Sequence, residues 1–429
     1  MHITRRQFVE SVAATGAALA VPGRLMAKAP VDERMILSSP LTYADWIVFR
    51  PGTAAWGDEG VRHALDACKA CGWSHVYWRV FDAGRATYPS KLRLAHMHPE
   101  ADCYFSPQTD ADRQVVRAVD PSLTPERSAE ILKQLEPIDY AAFDSLAAAV
   151  EYGHGIGLKI HAWASLNEED HAWGWPSEFS KAHPEYRWVR RDGRVYHSQL
   201  SFAFPEVRQY MLGLMEEILA YDVDGLFLDW IRTGDVRDNP QTDPAGVADN
   251  GYERPNIDAF QAEFGVDPQE VANDDDRWVR VRAQPQTDFM RDLRKLVNGR
   301  SQQTAICALT AHPWHLRGHD PIDGNLRGLL LDVKTWADEG LIDAAIAAGY
   351  YRAGGSAESA YQALVTETGG KIDVWYYAGV PNSISEFTND FNAAHKLGAE
   401  RMLFWEADYI DGRPNAAELK AAMAAKALW

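Results

Sequence analysis

Eight times along this chain a short apolar run is followed by a stretch with helical period, and that alternation constrains the fold more than any other feature. The runs are DWIVFR (45–50), SHVYWRVF (74–81), LKIHAWA (158–164), DGLFLDW (224–230), TAICALTAH (304–312), IDAAIAAGYY (342–351), KIDVWYYAGV (371–380) and RMLFWEADY (401–409). Strands alternating with helices build βα units on a parallel sheet. Eight such units predict an α/β protein with a (β/α)8 TIM barrel. No glycine-rich phosphate fingerprint follows the first run, which argues against an open doubly wound sheet. Gly72, Gly157, Gly340, Gly370 and Gly398 stand where helical stretches stop, as left-handed caps would.

Residues 1–29 read differently. Arg5 and Arg6 in TRRQF precede a short, weakly apolar stretch from Val12 to Val21. A charged start before a run too short to span a bilayer predicts a twin-arginine signal peptide, with the twin-arginine export machinery as partner and the periplasm or the exterior as destination. Residues 30–429 then form one barrel domain. The leader holds four basic residues and one acidic, so its loss takes the net charge from −18 to −21. Such a surface repels phosphate backbones and excludes nucleic acid as a partner. No other stretch has the roughly 20 uninterrupted apolar residues that a membrane span requires. Cys68 and Cys71 sit at the end of a helical pattern with no second cysteine pair nearby, and are expected on a helix face.

In a barrel of this kind, chemistry belongs to the C-terminal ends of the strands and the loops after them. Asp229 ends the run GLFL and shares strand parity with Gly225 and Phe227. Glu406 shares parity with Met402 and Phe404, and Asp408 follows on the same face. Convergent carboxylates suit glycosidic cleavage, where one acid protonates the leaving oxygen and another attacks the anomeric carbon or activates water. Asp229 is the expected nucleophile or base. Glu406 is the favoured acid, with Asp408 or Asp82 in reserve. Arg50, His161, Arg232 and His312 are expected to position substrate. Trp78, Trp163, Trp230, Tyr350 and Tyr376 would offer flat faces and hydroxyl partners to a sugar. The chain has 15 tryptophans, among them Trp173, Trp175 and Trp188 in the loop after the third run. No metal or other cofactor is required. His96 and His98 lie in a loop rather than on the first strand, and the acidic stretch 235–250 lacks the spacing of a calcium loop.

These residues resemble those of the glycosyl hydrolase-like 10 family. The similarity is carried by His183-Pro184-Glu185, the helix start Pro205 to Arg208, Tyr221 to Gly225, and Asp229-Trp230-Ile231-Arg232. YPSKL (88–92) and VKTWADEGLIDAAIAAGYY (333–351) are also similar to family segments. The resemblance implies a TIM barrel acting on carbohydrate and nominates Asp229 over the other acids. The family's Arg and Gly-Asp after the second strand are replaced here by Phe81 and Gly84-Arg85. Two rivals stay open. One is a catalytically inactive glycan-binding barrel. The other is a metal-dependent hydrolase of another bond using His96, His98, His161 or His312.

Overall fold

The computed structural model describes residues 36–41, 57–82, 84–93, 141–167, 177–229, 231, 250–311, 326, 329–348, 356–405, 410 and 413–426. Eight strands close into a barrel: β1 (Ile36–Leu41), β2 (His75–Arg79), β3 (Lys159–Ser165), β4 (Gly225–Asp229), β5 (Ala305–Ala311), β6 (Ala344–Ala348), β7 (Asp373–Gly379) and β8 (Arg401–Trp405). Every neighbouring pair is parallel, and β8 pairs with β1 to complete the ring. A helix follows each strand, running in order Asp58–Ala70, Ser145–Gly155, Pro205–Leu219, Asp276–Asn298, Val333–Asp338, Ala357–Thr368, Ile384–Lys396 and Ala416–Lys426. The five glycines expected as caps have φ between 66° and 76°. Among the described residues no helix is long and apolar enough to cross a membrane.

Seven strands lie within the runs expected of them or overlap them by all but a residue. The first does not. It is ILSSPL at 36–41, not DWIVFR at 45–50, and residues 45–50, with Arg50, lie outside the described residues. Serine and proline are poor strand formers, and Pro40 has no N–H to give to a ladder. The segment is a strand because both sheet edges need it. Ser38 aligns with His75 on one side and Leu403 on the other.

Strand alternation separates two cores. Val76, Trp78, Ile160, Leu226, Ile306, Met402 and Phe404 pack outward with the helices. Tyr77, Trp163, Phe227, Cys307, Leu309, Ile346, Trp375 and Leu403 fill the barrel interior. This overturns two expectations. Trp78 is buried beneath the helix Ser145–Gly155, its Nε1 donating to Ser145 Oγ at 3.3 Å, so it offers no face to a sugar. Tyr376 packs outward against Tyr361 of the helix Ala357–Thr368, with centroids 6.0 Å apart, and is equally covered. The parity argument for Glu406 also loses its basis, because Met402 and Phe404 face the helices. Glu406 itself lies outside the described residues.

The N-terminal end of the barrel is closed by polar side chains. Arg401 Nη2 pairs with Asp373 Oδ2 at 2.7 Å. Asp224 Oδ2 accepts the Ile160 N–H and contacts His154 Nε2, and Asp343 Oδ2 accepts the Ile306 N–H while pairing with Arg294. These two aspartates, each just before its strand, join it to the neighbouring strand near its start. Inside, His75 and His161 are both 6 % exposed, with ring centroids 5.3 Å apart. Gly225 is glycine for lack of room, since a Cβ there would stand 2.1 Å from His161 Nδ1.

Burial, and then His161, Lys159 and Arg401, push the His75 imidazole down to about 2. Burial lowers His161 to about 4 against the opposing pull of Asp224. Both rings are thus neutral in the fold and protonate near 6.5 when unfolded. The unfolded chain therefore gains protons that the folded chain refuses, and the stability present above about pH 6.5 declines as pH falls toward 4. Glu253 and Asp390, pushed up to about 7 mainly by burial, titrate with the opposite sign in this window. The histidine contribution is accordingly read as a difference. Wild-type stability minus that of His161→Asn, from urea titrations at several pH values, should fall by about 1.4 kcal/mol per pH unit below 6.5. A difference flat across pH 4–6.5 would mean that the imidazole is solvated.

Two excursions rise from the barrel. After β3 an antiparallel hairpin pairs Arg187–Val189 with Val195–Leu200, and after β4 a helix spans Arg254–Phe264. Glu253 Oε1 accepts the Val189 N–H, and Arg191 donates to the carbonyls of Gln269 and Val271, which lock the two together. Trp188, on the hairpin, is buried.

Candidate active site

The C-terminal end of β4 positions the central group. Asp229 continues the inward face of Gly225 and Phe227 and is 3 % exposed. Its backbone carbonyl accepts the Leu166 N–H at 3.0 Å, and Ser165 is its register partner on β3. The side chain is oriented by Trp163, whose indole Nε1 donates to Asp229 Oδ2 at 3.0 Å. Trp163 is 1 % exposed and wedged by Phe227 and by the edge of Trp405, whose centroids lie 5.8 and 5.3 Å away. Trp163 is therefore a hydrogen-bond donor to the acid rather than a platform for a sugar.

Over that indole lies a cation. Arg79 ends β2 with its Cζ 5.1 Å from the Trp163 ring centroid, and its Nε donates to the Phe81 carbonyl at 2.6 Å. A short ribbon, Phe81–Asp82 with Arg85–Ala86, turns the chain back, and Thr87 Oγ1 caps the Arg79 carbonyl at 2.9 Å. Ser165 adds a buried hydroxyl with no hydrogen-bond partner among the described residues. A carboxylate, an indole, a guanidinium and a hydroxyl thus meet at the rim on three adjacent strands, β2, β3 and β4. That set can bind a polar ligand and supply a base or nucleophile.

Asp229 and Trp163 are the expected residues that the structure brings together. His161 lies inside the barrel near its floor, beside His75 and Tyr77 (centroids 5.3 Å from each), rather than at the rim. This corrects its expected role in positioning substrate. Asp82 lies in the ribbon beside the site, and nothing is described of its side chain. Arg50, Trp230, Arg232, His312, Tyr350, Glu406 and Asp408 lie outside the described residues, as do His96 and His98. No group of three or more His, Cys, Asp or Glu among the described residues has the arrangement of a metal site. Arg79 and Ser165 are the residues not expected from sequence. Their signal was the polar parity of β2 and β3, His75-Tyr77-Arg79 and His161-Trp163-Ser165, against the aliphatic alternatives Val76 and Ile160.

The segments that resemble the family are largely architectural. In YPSKL, Tyr88 and Ser90 donate their hydroxyls, and Lys91 its backbone N–H, to Glu217 on the helix Pro205–Leu219. Arg208 of the PEVR helix start donates to the carbonyls of Phe202 and Ala203. Tyr221 reaches Asp144 at 2.7 Å, and Asp224 is the strand latch described above. Among the described residues of these segments, Asp229 meets the rim.

A closed parallel barrel with its acid at the C-terminal rim has the fold of the TIM-barrel glycoside hydrolases. Three solved structures show that likeness. The PgaB (BpsB) glycoside hydrolase domain from Bordetella bronchiseptica has a TM-score of 0.54 at 13% identity, over 91% of this chain and 98% of that one. The catalytic domain of β-amylase from Paenibacillus polymyxa has 0.55 at 11%, over 92% and 98%. β-Galactosidase from Marinomonas ef1 has 0.51 at 12%, over 91% and 59%. At such identities the likeness is one of fold. Sequence comparison is more specific, because a family profile described as Glycosyl hydrolase-like 10 matches residues 121–384. The chain belongs to the glycosyl hydrolase-like 10 family. Comparison with curated proteins finds no match.

Proposed function

We propose that this protein is an exported glycoside hydrolase that cleaves O-glycosidic bonds of a poly- or oligosaccharide, with Asp229 as nucleophile or base. One observation carries the reading. A buried carboxylate at the C-terminal end of the fourth barrel strand is aimed into the rim and held by an indole N–H. An acid partner gives its proton to the leaving oxygen, while Asp229 attacks the anomeric carbon or takes a proton from the attacking water. Glu406, Asp408 and Asp82 are the candidates for that partner. The paired arginines at positions 5 and 6 support export by the twin-arginine route to the periplasm or beyond.

The experiment is release of new reducing ends from a broad glycan panel by wild type and Asp229→Asn in parallel. Glycan binding without release would favour the inactive binding barrel. Trp163→Phe keeps an aromatic ring but removes the donor to Asp229. A hydrogen bond to a charged group contributes about 1.5–3 kcal/mol, so kcat should fall roughly 10- to 100-fold. If kcat is untouched, the indole serves only to fill space. For export, replacing Arg5 and Arg6 by lysine should retain the precursor in the cytoplasm, as read from fractionation and N-terminal sequencing. Mature protein outside the cytoplasm despite the replacement would exclude the route.

A further inference from the structure

We propose that Arg79 is an anion-binding residue of the rim and that the glycan taken there carries an acidic group, a sugar carboxylate or sulfate ester. The inference rests on the glycosidase reading and adds a substrate class to it.

Arg79 is 7 % exposed, yet its guanidinium has no carboxylate partner among the described residues. Its Nε is engaged by the Phe81 carbonyl, while its two Nη groups make no hydrogen bond or ion pair with any described residue. Three other arginines of the barrel have acceptors in place. Arg401 has Asp373, Arg294 has Asp343, and Arg282 has the carbonyls of Asn250 and Asn273. A little-exposed guanidinium stacked on an indole gains from an anion that completes its set of acceptors. Its two Nη groups, fixed in one plane, form a fork suited to a carboxylate or sulfate, which they grip in parallel.

The surroundings agree. The guanidinium is held by the Phe81 carbonyl and by the indole, and the Thr87 hydroxyl fixes the Arg79 backbone through its carbonyl. It needs little reordering to bind. Ser165 Oγ, buried and unsatisfied on the next strand, adds a further donor at the same rim. Asp229 meets the same indole at its N–H edge while Arg79 lies over its ring, so an acidic sugar would place its charge at the cation and its scissile bond toward the carboxylate. The protein's net charge of −18 opposes acidic ligands at long range, which makes a preformed buried cation the means of selecting one.

The test measures binding of glucuronate, glucose 6-sulfate and glucose to wild type, Arg79→Lys and Arg79→Met by ligand-detected NMR and calorimetry, at low and high salt. Circular dichroism melts establish that each variant is folded. Wild type should bind one or both acidic sugars in preference to glucose, more weakly at high salt. Arg79→Met should weaken acid binding about tenfold or more while Arg79→Lys retains part of it. Preference for glucuronate identifies a uronate ligand, and preference for the sulfate ester a sulfated one. Equal binding of acidic and neutral sugars, no binding of either acid, or acid binding unchanged in Arg79→Met would each overturn the inference. Release of sugar from the glycan panel separates this from the glycosidase reading. Hydrolysis of neutral glycans that is indifferent to Arg79 removes the anion subsite and leaves the hydrolase. Selective acid binding with no hydrolysis of any glycan removes the hydrolase and leaves the subsite.

Discussion

Asp229→Asn is expected to lower turnover about 10²–10⁴-fold, the range that a positioned acid or base contributes. The substitution is nearly isosteric. The amide oxygen still accepts the Trp163 N–H, and the backbone bond from Leu166 to the residue 229 carbonyl does not depend on the side chain. Folding should therefore persist. Reducing-end assays on any cleaved glycan, with a melting curve for each protein, decide the matter. A variant that melts like wild type and is inert places Asp229 in the chemistry. Full activity in the variant would exclude it.

Gly225→Ala should damage the fold itself. The added Cβ meets His161 Nδ1 at 2.1 Å, His161 Cε1 at 2.5 Å and the Ala305 carbonyl at 3.0 Å. Backbone on one side cannot move without breaking β4–β5 pairing. The imidazole on the other is boxed by His75 and Tyr77, each 5.3 Å away by centroid. Overpacking of this kind costs about 1–3 kcal/mol or more, enough to lower a urea midpoint clearly. The companion variant His161→Ala vacates the same volume, so the double variant should recover much of the loss, with coupling of the sign a shared space requires. If Gly225→Ala alone is neutral, the floor of the barrel is looser than its packing indicates. Because Gly225 and Asp229 lie on one five-residue strand, the same variants show whether strain at the floor reaches the acid at the rim.

Much of the architecture was legible in the chain because hydrophobic periodicity reports burial. Seven barrel strands and the following helices lie within or close to their apolar runs. The helix Arg254–Phe264 was not read, since its run carries a weak apolar pattern within a polar stretch and forms by packing Phe260 against Trp278. The hairpin 187–200 was read only as a tryptophan-rich loop, for it depends on contacts from the segment around Glu253.

At the site, a strand's parity mattered more than residue type. Trp78 and Tyr376 are aromatic residues near strand ends, which made them attractive as sugar partners, and both face the helices. Arg79, one residue beyond Trp78, faces in. Met402 and Phe404 made the same point for the eighth strand.

Taken alone, the sequence determined the number of βα units, the family, and the acid at the tip of the fourth strand, because local alternation and short motifs encode which stretches bury and where they stop. Tertiary structure alone decided that ILSSPL closes the ring, that Trp163 is a donor to Asp229, that His161 belongs to the floor, and that Arg79 stands at the rim without an acidic partner among the described residues. Those four facts arise between strands distant in the chain. Register and facing direction are set only when the barrel closes and each strand has two neighbours to satisfy.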